Sequence, residues 1–217
     1  MEFAARYVAG GAGEVGGDWY DVFCLPSGTV CLVVGDVVGH GLAAAQSMSQ
    51  FRAVLRASAL HSEDPADVLT RLDDHVTQFQ PDTMATVLCG MLTPATGALR
   101  LSSAGHPPAI LAAPHRAATT VQIRPDLPVG VANGHPRHSS EVPFPPGSVL
   151  CLYSDGLVER RDLVIDDNID KLRATVTAQP PEAVCAQVMR QMIGTTTPED
   201  DVAVLVARRH GPHRPRC

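Results

Sequence analysis

The order of apolar and polar positions first predicts a β-hairpin near the start of the chain. Residues 18–25 are rich in aromatic and branched apolar side chains, residues 26–28 are turn formers, and residues 29–35 are apolar and β-branched. A short turn between two such runs is typical of antiparallel strands. The segment 18–35 is therefore predicted as a hairpin.

Helical spacing of apolar residues then follows in two pairs of segments. Residues 41 to about 60 have this spacing, and Asp64-Pro65 supplies an N-cap and a first-turn proline for a second helix. The apolar face predicted for the second helix consists of Val68 or Leu69, Leu72, Val76 and Phe79. Two more helices are predicted at 168–177 and 181–193.

The remaining apolar runs are short and bounded by turn residues. Residues 85–92, 99–104 and 109–113 are predicted as a meander, and residues 148–153 and 202–207 as two later strands. Strands in hairpins and meanders, with helices inserted in pairs, favour an antiparallel α+β layered fold over a doubly wound one.

Composition narrows the classes of function. The 217 residues suit one compact domain, and a net charge of −6 disfavours nucleic-acid binding. The sequence shows neither a run of about 18 apolar residues nor an export leader after Met1. Six cysteines without a Cys-x-x-Cys pair suit reduced thiols, so a cytoplasmic protein is expected.

Two aspartates meet in the predicted hairpin. A three-residue loop that sets Leu25 opposite Thr29 also sets Asp18 opposite Asp36, with Cβ atoms about 4.5–5.5 Å apart. Like charges at about 4 Å repel by roughly 4 kcal/mol at an effective dielectric constant of about 20. A cation is therefore expected between the two carboxylates.

Further aspartates stand at other strand ends. Asp155 follows the strand at 148–153, and Asp200-Asp201 precede the strand at 202–207. In an antiparallel sheet, strand entries and exits share an edge. Carboxylates without a Cys or His cluster favour magnesium or manganese over zinc, and two such ions together usually act on phosphate esters.

Other motifs have competing interpretations. The run 11–16 matches a dinucleotide-binding glycine pattern, but strand residues follow it where a helix should begin. Ser154 lacks a nucleophile elbow. His40 is close enough to Asp36 to donate a proton or bind a ligand, or it is a turn residue at the helix start. Two His-x-x-His pairs are interpreted as loop residues: His135, His138, His210 and His213.

Five ordered motifs carry a family resemblance. They are the segments Gly16-Gly17-Asp18-Trp19-Tyr20-Asp21, Gly35-Asp36-Val37-Val38-Gly39-His40-Gly41, Ala104-Gly105-His106-Pro107-Pro108, Leu152-Tyr153-Ser154-Asp155-Gly156-Leu157-Val158-Glu159 and Asp200-Asp201-Val202. Over about residues 5–208 the chain resembles the SpoIIE/RsbU branch of the PP2C-like (PPM) serine phosphatases. The resemblance implies an αββα sandwich of two antiparallel β-sheets flanked by helix layers.

The resemblance also implies a metal centre and roles for its residues. Asp36 would bridge two divalent cations, Mn²⁺ or Mg²⁺, with Asp18 and the Val37 carbonyl serving one of them. Asp155 with Asp200 would hold the other, and Asp201 is an alternative to Asp200. Asp18 and Asp36 are thus the predicted catalytic pair, in a direct attack of water on phosphorus without a covalent phosphoenzyme.

The substrate class and partners follow from the same resemblance. Family substrates are phosphoserine or phosphothreonine in STAS-type anti-anti-sigma proteins, in bacterial stress or developmental sigma-factor control. Regulatory sensor or kinase domains are expected partners, with residues 1–208 as the phosphatase domain and 209–217 as a linker-like tail. Ala203 departs from the family pattern, where threonine is common. A degenerate domain that only binds, and an enzyme for small phosphomonoesters or nucleotides, remain alternatives.

Overall fold

Two β-sheets face each other in the computed structural model, which describes residues 1–11, 16–132, 134–159 and 164–211. The strands of this part of the chain are β1 (Glu2–Val8), β2 (Trp19–Cys24), β3 (Val30–Val37), β4 (Ala85–Thr93), β5 (Ala98–Ala104), β6 (Ile110–Ala112), β7 (Thr119–Thr120), β8 (Pro125–Asp126), β9 (Ser140–Pro143), β10 (Val149–Tyr153) and β11 (Val202–Arg208). The terminal sheet has the order β1-β11-β10-β6-β7, and the hairpin sheet has the order β2-β3-β4-β5-β8, with β9 also paired to β5. Within the described residues all pairs are antiparallel except the short pair of β5 and β8.

Each sheet carries a pair of helices on its outer face. These are α1 (Gly41–Ala59) and α2 (Pro65–Phe79) on the hairpin sheet, and α3 (Ile165–Thr175) and α4 (Pro181–Met192) on the terminal sheet. The order of layers is therefore helix, sheet, sheet, helix, the predicted αββα sandwich.

Three apolar cores hold the four layers together. One lies between the sheets and includes Leu32, Leu152 and Leu205, and the other two lie under the helix pairs. The central strands are covered on both faces, which explains why β3 and β10 are nearly continuous apolar runs rather than alternating ones.

Local chemistry sets the start of α2 and the position of α1. The Asp64 carboxylate accepts a hydrogen bond from the Ala66 N–H at 3.0 Å, as an N-cap does. The buried Asp21 carboxylate of β2 accepts two hydrogen bonds of 2.7 Å from the Arg56 guanidinium of α1. This two-bonded ion pair fixes α1 against the hairpin sheet.

The hairpin register was predicted correctly. The Leu25 N–H donates to the Thr29 carbonyl at 2.8 Å, and Trp19 pairs with Gly35, so the continuation of the register sets Asp18 opposite Asp36. The other predicted helices and strands occur within a few residues of their expected bounds.

Three predictions of the fold need correction. The meander is wrong, because β6 leaves the hairpin sheet and pairs with β10 of the terminal sheet. The chain leaves the hairpin sheet at Gly105, where φ is +67°, and two prolines then follow, which cannot donate to a strand ladder.

The second correction concerns Phe79, which was predicted on the apolar face of α2. Phe79 is 68% exposed, because it is the last residue of α2 and its ring contacts His75 instead of the core.

The third correction concerns strands absent from the prediction. Strand β1 has a half-exposed pattern without a clear buried face, as an edge strand has. The short strands β7, β8 and β9 lie in a region rich in proline and histidine, where apolar runs are too brief to indicate a strand.

Two expectations from composition can be compared with the described residues. Cys24, Cys31, Cys89, Cys151 and Cys185 are free thiols, and all but Cys24 are buried. Cys217 lies outside the described residues. In the same residues no helix is both long and apolar enough to cross a membrane.

Candidate metal centre

Three carboxylates meet at one end of the sandwich, where strand ends of the two facing sheets come together. Asp18 directly precedes β2, Asp36 is the penultimate residue of β3, and Asp155 starts a 3₁₀ turn, Asp155–Leu157, after β10. Each offers an oxygen, and these oxygens all lie within 4.8 Å of one another. Two of the ligand candidates thus come from the hairpin sheet and one from the terminal sheet.

Gly17 allows the backbone to approach the cluster closely. A Cβ atom at this position would stand 2.1 Å from the Val37 carbonyl oxygen and 3.0 Å from Oδ1 of Asp36. The Val37 N–H donates to the Gly17 carbonyl at 3.2 Å, so the two segments are held together. The Val37 carbonyl oxygen and the Asp36 carboxylate therefore lie side by side at the site.

Burial and neighbouring negative charges raise the pKa of all three carboxylates. Burial is the largest cause for all three, because it disfavours the charged form. The negative charge of Asp36 adds to the rise in the pKa of Asp18, and the charge of Asp155 adds to the rise for Asp36. Buried carboxylates this close together favour the binding of a cation, which would compensate their charge.

Ser154 supports the cluster and is not available as a nucleophile. Its hydroxyl is fully buried, donates to Oδ2 of Asp18 and accepts a hydrogen bond of 2.9 Å from the Ala203 N–H. The hydrogen bond to Asp18 favours the ionised carboxylate. Ala203 contributes only its backbone N–H to this contact. The hydrogen bond is therefore unaffected by the presence of alanine where the family commonly has threonine.

The neighbouring Asp200 and Asp201 have different surroundings. The Asp201 carboxylate is buried, with Oδ2 accepting from the Tyr7 hydroxyl and Oδ1 from the Gly10 N–H, both at 2.8 Å. Asp200 is exposed, and its Oδ1 accepts from the Asp201 N–H at 2.7 Å. Asp200 is not among the three residues whose oxygens lie within 4.8 Å of one another, but a Cβ atom at Gly156 would stand 3.3 Å from its Cβ atom, so Asp200 lies close to the segment of Asp155. Its charge contributes to the raised pKa of both Asp36 and Asp155.

His40 lies at the start of α1, four residues after Asp36 in the chain. It occupies the N-cap position without a side-chain cap, and its backbone pairs with Gly16. It is exposed and lines a cavity of about 450 Å³ together with Gly39, Asp200 and Asp201. Both sequence interpretations of His40, a turn residue and a group facing the ligand, are compatible with this position.

His106 is a buried cross-link to which the sequence analysis gave no role. Its Nδ1 lies 2.8 Å from Oγ1 of Thr86, and its Nε2 lies 3.0 Å from the Tyr153 carbonyl oxygen. Because a carbonyl can only accept, Nε2 carries the proton and Nδ1 accepts from the Thr86 hydroxyl. Burial lowers the pKa of His106 to about 4, which keeps the ring neutral. Thr86 pairs with Asp36, so the ring joins the two sheets next to the cluster.

The competing motifs lie elsewhere or lack their required context. Nδ1 of His138 donates a hydrogen bond of 2.7 Å to Oδ1 of Asp126, and His135 is exposed. His213 lies outside the described residues. Residues 12–15 of the glycine pattern also lie outside the described residues. Gly16 and Gly17 lead into strand β2, so the helix that dinucleotide binding requires is replaced by a strand.

The donor set fits a hard divalent cation. The cluster offers carboxylate oxygens from three aspartates, with the Val37 carbonyl oxygen alongside and no sulfur or imidazole ligand in the group. A group made only of oxygen donors is typical of magnesium and manganese sites rather than of zinc sites.

Comparison with known proteins places this geometry in a family. A family model described as Stage II sporulation protein E (SpoIIE) matches residues 26–210. The RsbU and RsbW domains of Rv1364c from Mycobacterium tuberculosis are 30% identical, with a TM-score of 0.84 over 99% of this chain and 61% of that chain. The PP2C phosphatase domain of SpoIIE from Bacillus subtilis, with a fragment of its regulatory domain, is 20% identical, with a TM-score of 0.80 over 98% and 63% of the two chains.

A third solved structure is that of RsbX in complex with magnesium. It is 16% identical, with a TM-score of 0.71 over 94% of this chain and 92% of that chain. Together these likenesses show that the αββα sandwich is the PP2C-like fold. The chain spans about three fifths of the length of the first two structures.

Proposed function

The chain belongs to the SpoIIE family of PP2C-type phosphatases, and on that premise we propose that it hydrolyses phosphoserine or phosphothreonine in a protein, with two divalent cations. The observation that carries this proposal is the convergence of Asp18, Asp36 and Asp155 within 4.8 Å, at a position where two sheets meet. Carboxylates buried together at this distance are costly for a fold unless a cation compensates them.

The cations would be held by five groups of the chain. These are the carboxylates of Asp18, Asp36, Asp155 and Asp200 and the carbonyl oxygen of Val37. When bound, divalent cations lower the pKa of water and neutralise charge on a phosphoryl group. We assign Asp200 rather than Asp201 to this set, because both carboxylate oxygens of Asp201 already accept hydrogen bonds from Tyr7 and Gly10. Both Mn²⁺ and Mg²⁺ accept such oxygen ligands.

His40 would act on the substrate rather than on the cations. It lines the cavity that Asp200 also lines, and an imidazole there can hydrogen-bond the phosphoryl oxygens or give a proton to the leaving hydroxyl. Loss of this group should lower turnover without preventing cation binding.

The proposed substrate is a phosphorylated STAS-type anti-anti-sigma protein, as for an RsbU-like phosphatase. Exposed apolar side chains near the carboxylates support a protein substrate over a nucleotide. Val38 is 59% exposed and Met84 41% exposed, and the Val38 N–H donates to the Met84 carbonyl at 3.0 Å. This apolar surface directly follows Val37 and suits contact with a folded partner.

Hydrolysis of an aryl phosphate and of a phosphorylated STAS protein tests the proposal. Native chain with Mn²⁺ should turn over both, and chelator or Asp36→Asn should abolish turnover. Asp74→Asn, an exposed aspartate of α2, is the control for a lost surface charge. Turnover that persists in Asp36→Asn would contradict the metal-centre mechanism, whereas binding of the phosphoprotein without any turnover would favour a degenerate binding domain.

A further inference from the structure

A tyrosine of the edge strand β1 contacts the segment that carries Asp200. The strand pairs with β11 along its whole length, from Glu2 with Arg208 to Val8 with Val202. The Tyr7 hydroxyl reaches beyond the end of β11 and donates to Oδ2 of Asp201 at 2.8 Å. The Gly10 N–H donates to Oδ1 at the same distance, so the N-terminal segment supplies both hydrogen bonds.

Asp201 in turn fixes the geometry of its neighbours. Its N–H donates to Oδ1 of Asp200 at 2.7 Å. Its carbonyl oxygen lies so close to Gly156 that a Cβ atom there would stand only 2.1 Å away. Asp201 therefore touches both segments that bring ligand candidates from the terminal sheet, the one with Asp155 and the one with Asp200.

We propose that Tyr7 is a positioning residue of the metal centre, which holds Asp201 so that Asp200 faces Asp36 and Asp155. The inference rests on the proposed function, since it concerns the affinity of the same carboxylates for a divalent cation. Tyr7 itself touches neither substrate nor cation, and it acts through the Asp201 carboxylate.

The chemistry of the contact supports this role. Asp201 is 5% exposed, whereas Tyr7 is 40% exposed, so the acceptor of this hydrogen bond is buried and its donor lies at the surface. Loss of the donor leaves one oxygen of a buried carboxylate without its protein partner. Burial and the hydrogen bond to Asp201 raise the pKa of Tyr7, which keeps its hydroxyl protonated as a donor. Loss of a group that orients a metal ligand without contacting the metal typically weakens metal affinity by about 10- to 100-fold.

Binding of Mn²⁺ to the whole chain, measured by calorimetry, tests the proposal without reference to activity. Tyr7→Phe removes one oxygen and should raise the dissociation constant about 10-fold. The matched control is Tyr153→Phe, which removes the same hydroxyl from β10 on the side of α3 and α4 and should change the constant less than twofold. Thermal unfolding of each variant verifies that it is folded.

Substitution of the two aspartates separates a ligand from a positioning residue. Asp201→Asn keeps an oxygen for the Gly10 N–H and gains an amide that can donate to Tyr7, so a positioning Asp201 tolerates it. Asp200→Asn removes a charged ligand and should weaken binding more than Tyr7→Phe does.

The outcomes that overturn the inference differ from those that overturn the proposed function. An unchanged dissociation constant for Tyr7→Phe, or a loss in Asp201→Asn as large as in Asp200→Asn, refutes the positioning role. Binding that is unchanged in Asp36→Asn refutes the metal centre itself, and with it the proposed function.

Discussion

Replacing Asp36 with asparagine should stabilise the metal-free protein while abolishing its stabilisation by Mn²⁺. The substitution keeps the size of the side chain and removes the charge that lies between two others. Asp36 has oxygens within 4.8 Å of those of Asp18 and Asp155. The variant therefore relieves two repulsive pairs at once.

The magnitude follows from Coulomb's law and from proton uptake. At 4.8 Å and an effective dielectric constant of about 20, each ionised pair costs roughly 3.5 kcal/mol, so two pairs set an upper limit of about 7 kcal/mol. The raised pKa values let protons neutralise part of this charge. We expect a net gain of about 2 kcal/mol in the free energy of unfolding, or roughly 4–8 °C in Tm.

The sign of the pH dependence follows from the same shift. The pKa of Asp36 is raised in the folded chain, so the native protein binds more protons than the unfolded chain above the ordinary aspartate value. The contribution of Asp36 to metal-free stability should therefore fall as pH rises from about 4 through neutrality. Asp36→Asn should flatten this decline.

Urea unfolding in chelator and in Mn²⁺ measures both effects. At Mn²⁺ equal to about 100 times its dissociation constant, the native chain should gain about 2.7 kcal/mol and the variant almost nothing. Asp74→Asn, exposed on α2, should behave like the native chain in both conditions. A variant that is less stable than the native chain in chelator and still gains stability from Mn²⁺ would contradict both expected effects.

Three further substitutions test individual contacts. Gly17→Ala should weaken Mn²⁺ affinity at least 10-fold by displacing the Val37 carbonyl, whereas Gly211→Ala, with nothing within 4 Å of its added Cβ atom, should leave affinity unchanged in the same calorimetric titration. Between pH 6.5 and pH 4 the contribution of His106 to the unfolding free energy should fall by about 3 kcal/mol, because the unfolded chain takes up that proton first, so His106→Gln should gain about that much relative to the native chain over this range in unfolding experiments. Tyr153→Phe should raise the unfolding free energy by about 1 kcal/mol, measured in urea, since its buried hydroxyl has no hydrogen-bond partner among the described residues.

The sequence was sufficient to predict the hairpin and its aspartate pair, because both depend on local geometry. A three-residue turn fixes the register, and the register alone sets Asp18 opposite Asp36. The α2 start was predictable for the same reason, since Asp64 and Pro65 act within one helical turn. Resemblance to a family then supplied the sandwich arrangement that joins Asp155 to the pair.

Contacts between distant segments were not predictable in this way. Strand β1 is recognised only through its pairing with β11, and the path from β5 to β6 changes sheets without a change in apolar pattern. The difference between Asp200 and Asp201 depends on Tyr7, almost two hundred positions earlier in the chain. The pattern of apolar and polar residues near residue 200 does not distinguish Asp200 from Asp201.

The position of the carboxylates at the junction of two sheets links cation binding to the packing of the whole sandwich. Asp18 and Asp36 belong to the hairpin sheet and Asp155 to the terminal sheet, so part of the repulsion pushes the sheets apart. Two buried contacts oppose it: the Ser154 hydroxyl bound to Asp18, and the His106 ring between Thr86 and the Tyr153 carbonyl. A cation shared by the carboxylates would add a third link across the same junction. Its removal should therefore loosen the contact between the sheets first, with earlier amide exchange in β3 and β10 than in the helices packed outside them.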